Sequence, residues 1–428
     1  MPYSTRLLAE PRPASFAAQI QRVRTDCGLE AWLIEDHSMP LLSMAFAFKG
    51  GVTQDPEGKH GVSAMLAGLL DKGADEYDGA AFQQALDDEA IELSFGISGE
   101  SLPGQLRTLS SGRRRAFDLL ASALRAPRFD PDALERQRDR AAARMQQALH
   151  DPGKVAARAF RSACYGVHPY GRSADPQTLA TISRDDIVAI RGRIMARDNL
   201  KIACVGAINA SELRDELDRV FGSLPAAAQL AEIPPAAIGG VGTRHVVQLD
   251  VPQSLILFGR QGIGRDDADF DAATVVNHCL GGGSFTSRLF REVREKRGLC
   301  YGISTQNSDR DHGSMFGGMT STSNERAGEA LGVINEQLRL MSGEGIGALE
   351  LEKAKQFLIG SYALRFDTSG KIAGLLCKLQ LNGTDVTRLD TRNASIAAVS
   401  AEAAARAAAR LIGDGKMLVA IAGKPAGL

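Results

Sequence analysis

Arg294 and Tyr301 are the residues of this chain whose types and spacing best suit chemistry. They lie in Gly281-Gly-Gly-Ser-Phe-Thr-Ser-Arg-Leu-Phe-Arg-Glu-Val-Arg-Glu-Lys-Arg-Gly-Leu-Cys-Tyr301, seven residues apart on either side of Gly298. A guanidinium fork and a phenol can each hold a peptide carbonyl. The run reads as a glycine turn entering a basic helix that breaks at Gly298. A helix N-terminus offers free backbone N–H groups to a carbonyl or an anion. The same residues also admit a simpler reading. Arg288, Arg291, Arg294, Lys296 and Arg297 against Glu292 and Glu295 describe a solvated face laced with ion pairs. The triple glycine is no phosphate loop, because no Gly-Lys-Ser/Thr follows it.

The elements that must position this pair come in two similar halves. Ile182 to Gly206 aligns without a gap to Val399 to Gly423, at an offset of 217. Each copy has a Ser cap, a helix and a β-rich strand ending in glycine. His37-Ser-Met-Pro-Leu-Leu-Ser-Met-Ala-Phe-Ala-Phe echoes Asp250-Val-Pro-Gln-Ser-Leu-Ile-Leu-Phe at an offset of 212. Two echoes at nearly one offset predict a duplicated domain. The spacing predicts helices over Gly79 to Ala90, Arg113 to Leu124, Asp132 to Leu149 and Ala327 to Leu340. The expected class is α+β: two homologous domains, each an antiparallel-rich sheet covered by helices on one face. The stretch Ser223 to Gly242, rich in Pro, Ala and Gly, reads as the junction. The boundaries are set at an N-terminal domain of 1–228, a linker of 229–243 and a C-terminal domain of 244–428.

Bulk properties exclude several function classes. The chain has 428 residues, 44 % apolar and 24 % charged, with a net charge of −1. That is the mix of a folded multidomain protein with no global field toward nucleic acid or anionic lipid. Aromatics at 5 % do not support a base-stacking surface. The six cysteines form no CxxC and read as buried thiols. No apolar run is long enough to span a membrane. Met1 to Gln19 has no apolar core of the signal-peptide kind. The compartment is therefore cytoplasmic if this N-terminus is native, or periplasmic if a signal has been removed.

The Arg294/Tyr301 run resembles the C-terminal half of the pitrilysin and mitochondrial-processing-peptidase family of inverted-motif zinc peptidases. His168-Pro-Tyr170-Gly171, Ser183-Arg-Asp-Asp-Ile187, Asn199 to Gly206 and Arg214 to Pro225 follow in the order that family uses. Active members carry His-x-x-Glu-His on a helix of the first half. Two His at i and i+4 there bind zinc, and the Glu activates water. Anchored on Asp71-Lys-Gly73, the matching positions here are Ala64, Ala67 and Gly68, which can neither ligate a metal nor move a proton. The family's third ligand, a Glu, is expected around Met145 to Gln147, where Arg144-Met-Gln-Gln147 offers no carboxylate.

The resemblance thus implies a subunit that lacks the zinc motif and keeps the Arg/Tyr pair. Such a chain is inactive alone and holds no cofactor. Zinc would sit in a homologous partner subunit carrying His-x-x-Glu-His, and the heterodimer would process peptides. Arg294 and Tyr301 would hold substrate carbonyls and the transition state at the partner's zinc site. The alternative is an inert scaffold subunit of a larger assembly. Other candidates carry less. His60 lacks a second ligand, with Ser63 and Ala64 at i+3 and i+4. His168 reads as a structural hydrogen-bonding residue in a turn. His278 and Cys279 point about 100° apart on a helix, which disfavours a catalytic pair. Arg113 to Arg115 reads as a solvated face.

Overall fold

The computed structural model describes residues 15–428, so most of the Met1 to Gln19 segment read above lies outside it. Two sheets carry the architecture. The first is built from β1 (Gln21–Arg24), β2 (Glu30–Glu35), β3 (Leu41–Lys49), β4 (Glu92–Phe95), β5 (Ser101–Leu109) and β6 (Leu200–Gly206), in the order β1-β2-β6-β3-β5-β4. The second is built from β7 (Arg244–Gln248), β8 (Gln253–Gln261), β9 (Ile303–Ser308), β10 (Met315–Ser323) and β11 (Leu418–Gly423), in the order β7-β11-β8-β10-β9. With β1 set aside, the two orders are one topology repeated. Each sheet has one parallel pair, β2 with β6 and β7 with β11, and is otherwise antiparallel. The echo of His37 and Asp250 falls on β3 and β8, and the echo of Asn199 and Lys416 on β6 and β11. The fold is α+β in two homologous halves.

Period-two side-chain alternation sorts β3 onto two faces. Leu42, Met44, Phe46 and Phe48 enter the core shared with the helices of the first half. Ala45 and Ala47 point the other way. The second half repeats this, with Ile256 and Phe258 of β8 packed on its own helices. The expected helices are present as Gly79–Asp87, Arg113–Arg125, Pro131–Ala148 and Ala327–Glu344. The first of these stops short of Ala90, which takes a left-handed φ of 50° that ends a helix.

The second face of each sheet holds a feature absent from the expected one-face cover: a helix supplied by the opposite half. The first crossover helix, Pro152–Tyr165, starts on Pro152 and is capped by Asp151, which accepts from Gly153 N at 2.7 Å and Lys154 N at 3.1 Å. It lays Phe160 and Cys164 on Leu418 and Ala420 of the second sheet. The second crossover helix, Ser369–Leu381, lays Ala373, Leu376 and Cys377 on Ala45, Ala47 and Ala203 of the first sheet. Gln380 donates to the Ile202 carbonyl at 2.7 Å, and Ser43 and Ser369 hydroxyls meet at 2.9 Å. Small residues on the strands let each helix approach closely.

Between the halves, residues 224–243 form neither helix nor strand. The segment is nonetheless held down. Gln54 brackets Ala231, donating to its carbonyl at 3.1 Å and accepting from its N–H at 2.7 Å, and Gly239 N donates to the Cys164 carbonyl at 2.8 Å. An exposed polypeptide this well pinned is a fixed strap rather than a swinging tether.

Candidate functional site

Ala64, Ala67 and Gly68, the positions aligned above with the zinc motif, lie on the helix Val62–Leu69. Asp55 caps its start, accepting from Gly61 N at 2.6 Å and from Ser63 N at 3.0 Å. Burial raises the Asp55 pKa, and the bonds from Ser63 and Gly61 oppose that rise. Ala67 is buried, Ala64 half-buried, and Gly68 faces the helix Pro131–Ala148. A Cβ built on Gly68 would collide with Gln137 Nε2. The Gln137 amide therefore fills the space into which a ligand side chain at 68 would extend. Sequence counting pointed instead to Met145 to Gln147. Met145 packs partly on the first core, and Met145 and Gln146 line a separate groove. Two methyl groups, a glycine and a carboxamide do not fit a zinc ion. Among the described residues no group of three or more His, Cys, Asp or Glu is placed to hold a metal.

The Arg294/Tyr301 run has an unusual backbone. The helix Phe270–Asn277 widens into π geometry over His278–Gly282, and Phe290–Glu295 is also π-helical. The simple glycine turn of the sequence reading is thus a continuous widened helix followed by a short 3-10 turn, Ser284–Thr286. Close packing explains it, since Gly282 lies directly against Asn277 and Gly281 against Thr305 of β9. Widened turns of this kind recur at functional sites. After Glu295 the chain reverses at Gly298, whose φ of +58° suits glycine. Gly298 N donates to the Arg294 carbonyl at 2.8 Å and Leu299 N to the Val293 carbonyl at 2.9 Å.

That reversal brings the pair together. The Arg294 guanidinium carbon lies 4.8 Å from the Tyr301 ring centroid and 4.8 Å from that of Phe290. Tyr301 is 83 % exposed, immediately before β9, an edge strand. The solvated-face reading holds for Lys296 and Arg297, and for exposed Arg291, which has no carboxylate partner among the described residues; it does not hold for Arg288 or Arg294. Arg288 binds Glu350 at 2.9 Å, while Lys296 and Arg297 share Glu292 at 2.7 and 2.9 Å. Arg294 has no carboxylate within ion-pair distance among the described residues. It is a cation held by two aromatic faces, with its N–H groups available. Phe285, 69 % exposed, packs edge-on against Phe290 at 5.0 Å and extends this surface. Nothing in the spacing of the run singled it out.

The remaining candidates are structural. His60 lies 3.9 Å from Glu57 and near Asp55, with no second His or Cys placed beside it to complete a metal site among the described residues. His168 accepts from Tyr170 N at 3.1 Å and reaches the Pro234 carbonyl at 2.9 Å. His278 stacks on Phe357 at 4.9 Å, and burial lowers its pKa. Burial pushes the Cys279 thiol up to about 12, far from a reactive thiolate. Arg113 is less solvated than expected, clasping Glu212 at 2.9 and 3.1 Å. All six cysteines are free thiols, with Cys27 and Cys300 half-buried and the rest buried.

Comparison with known proteins gives the family and the fold. Residues 31–175 match the insulinase family, peptidase family M16, and residues 181–358 match the peptidase M16 inactive domain. A non-peptidase homolog, YmxG, of Helicobacter pylori is 24 % identical over 337 residues, covering 78 % of each chain. An uncharacterized zinc protease of Mycobacterium leprae is 26 % identical over 379 residues, covering 87 % of this chain and 84 % of its own. The crystal structure of a peptidase M16 inactive domain from Pseudomonas fluorescens superposes with a TM-score of 0.89 at 26 % identity, over 95 % of this chain and 98 % of that one. A protease from Helicobacter pylori has the same fold, with a TM-score of 0.85 at 18 % identity, over 94 % of this chain and 99 % of that one. With both domains matched in order and no His-x-x-Glu-His anywhere in the sequence, this chain belongs to the peptidase M16 family as a member without the zinc motif.

Proposed function

We propose that this chain is the substrate-holding subunit of a two-chain zinc peptidase. The observation that carries the reading is the asymmetry between its halves. The first half has Ala64, Ala67, Gly68 and Gln137 where a metal would sit. The second keeps an unpaired Arg294 beside an exposed Tyr301 at the start of an edge strand. In this reading, a homologous subunit bearing His-x-x-Glu-His supplies the metal and all of its chemistry. Arg294 and Tyr301 donate to carbonyls of an extended peptide and to the oxygen that gains charge in the transition state. Two copies of this chain facing each other would have no metal and no base, so the working assembly is a heterodimer around a cavity.

The test is to assay the chain alone, a zinc-motif relative alone, and the mixture. Activity is expected in the mixture only. Arg294→Ala with Tyr301→Phe is expected to lower turnover by the mixture about 100-fold or more, with complex formation retained in sedimentation. Unchanged turnover sinks the reading. Stoichiometric zinc in the isolated chain would sink it as well. One observation favours a second reading, an inert scaffold: the Helicobacter relative is named a non-peptidase homolog. Under that reading the Arg294 stack only braces the turn, and the double variant alters thermal stability with no effect on any partner's turnover.

A further inference from the structure

The first crossover helix covers only part of the second sheet. Register places Ser304, Met319 and Leu257 in one row across β9, β10 and β8, with Gln306, Gly317 and Gly259 in the next. The helix lies over β11 and reaches Gly259 with Phe160. The rows toward β9 stay open and floor a groove of about 930 Å³. Leu257, Met315 and Met319 make this floor apolar, and Ser304, Gln306 and Ser308 line its β9 side.

Its wall is cationic. Lys154, Arg158 and Arg161 follow one another along the crossover helix, and Arg310, just past the end of β9, closes the far end. None of Arg158, Arg161 and Arg310 has a hydrogen-bonding or ion-pairing carboxylate among the described residues. Arg310 is supported by aromatic faces, 5.0 Å from the Tyr170 centroid and 5.7 Å from that of Tyr165. The acids near this end are already engaged. Glu100 accepts from the Tyr170 hydroxyl and from Asp311 N, while Asp175 caps its own helix through Thr178 N. Burial, then repulsion from Arg310 and Arg158, lowers the Arg161 pKa, as expected for like charges gathered without a counter-ion.

We propose that this groove binds the C-terminal end of a peptide, with the free α-carboxylate on Arg161 and Arg310 and apolar side chains on Leu257, Met315 and Met319. Charge complementarity selects an anion, and the apolar floor demands a chain attached to it. The polar β9 side suits a peptide backbone better than an acyl tail. The proposal rests on the substrate-holding reading above and adds to it a ruler. Tyr301 precedes β9 and Arg310 follows it, with eight residues between them, and the six residues of the strand alone span roughly 20 Å. The anchored carboxylate would thus lie about eight extended residues from the carbonyl held at Arg294 and Tyr301.

Binding to the purified full-length chain, read by fluorescence anisotropy with a short N-terminally labelled peptide ending in leucine, tests this without any catalysis. The free acid is expected to bind about tenfold or more tightly than the C-terminal amide. Arg161→Gln, which breaks no ion pair among the described residues, should erase most of that preference with an unchanged melting temperature. Arg310→Gln is the companion, read only if it melts like the parent. Equal binding of acid and amide overturns the proposal, and so does a preference that survives Arg158→Gln with Arg161→Gln. Displacement of the peptide by decanoate at equal concentration would assign the groove to acyl chains instead. Displacement by inorganic phosphate would reduce it to a general anion patch. Arg294→Ala leaves the groove intact, so loss of partner turnover with the acid preference retained separates failure of one reading from failure of the other.

Discussion

On the proposed reading, Gly68 and Gln137 mark a metal site that has closed over. Removing ligands leaves a hole that must be filled, because an interior tolerates few voids. Here a carboxamide from the facing helix fills it, within contact of the Gly68 backbone. Gly68→Ala should therefore overpack the site and cost about 1–3 kcal/mol, seen as a lower melting temperature. Combining it with Gln137→Ala should restore most of the loss, since the colliding amide is gone. A double variant as unstable as the sum of its parts would refute this coupling. Replacing Ala64, Ala67 and Gly68 by His, Glu and His should give no stoichiometric zinc while Gln137 remains, which metal analysis after dialysis can check. At Arg294 the argument runs the other way. A half-buried cation with no carboxylate is kept in place by Phe290 and Tyr301, so its hydrogen-bonding capacity stays free for a ligand.

At the scale of elements, the two crossover helices decide stability. Phe160 is 7 % exposed and lies between the first crossover helix and the second sheet. Phe160→Ala should cost about 3–5 kcal/mol, measured by denaturant unfolding. A loss below about 1 kcal/mol would mean the helix is weakly docked. A stronger consequence concerns residues 1–243 expressed alone. They would lack Ser369–Leu381, leaving Trp32, Ala45, Ala47 and Ala203 of the first sheet uncovered. The piece is expected to aggregate or bind hydrophobic dyes, and to be rescued by co-expression with residues 244–428. A monomeric, cooperatively folding 1–243 would contradict that.

For the whole molecule, electrostatics add a pH limit to the mechanical coupling. Asp267 and Asp269, which precede the helix Phe270–Asn277, receive Arg406 and Arg410 from the helix Ala401–Ile412. The hydrogen bonds from Arg410 bring the Asp267 pKa down from 3.8 to about 2, and Arg406 lowers that of Asp269. A carboxylate depressed in the folded state contributes stability above its ordinary value and loses it as pH falls through the folded one. Wild type should melt above Asp267→Asn at neutral pH, with the gap closing between pH 3.8 and about 2. A gap independent of pH across that window would show that Asp267 acts through packing alone. Assembly is the other whole-molecule question. The heterodimer proposal predicts that sedimentation of a mixture with a zinc-motif relative gives a new species at one-to-one stoichiometry.

How far primary structure reached depended on whether the relevant residues were neighbours along the chain. The two echoes located β3, β8, β6 and β11, because an internal duplication preserves spacing. Counting back from Asp71 led to Ala64, Ala67 and Gly68, whose side chains offer no metal ligand, and seven residues around a glycine break led to Arg294 and Tyr301, which the structure stacks on each other. Periodicity states that a helix has a buried face without naming the surface that covers it. So the exchange of Pro152–Tyr165 and Ser369–Leu381 between halves could emerge only from packing. The same holds for Gln137 against Gly68 and for Arg161 beside Arg310. These are meetings of residues far apart in sequence, made by the closing of two sheets and two helices on one another, and no local pattern encodes them.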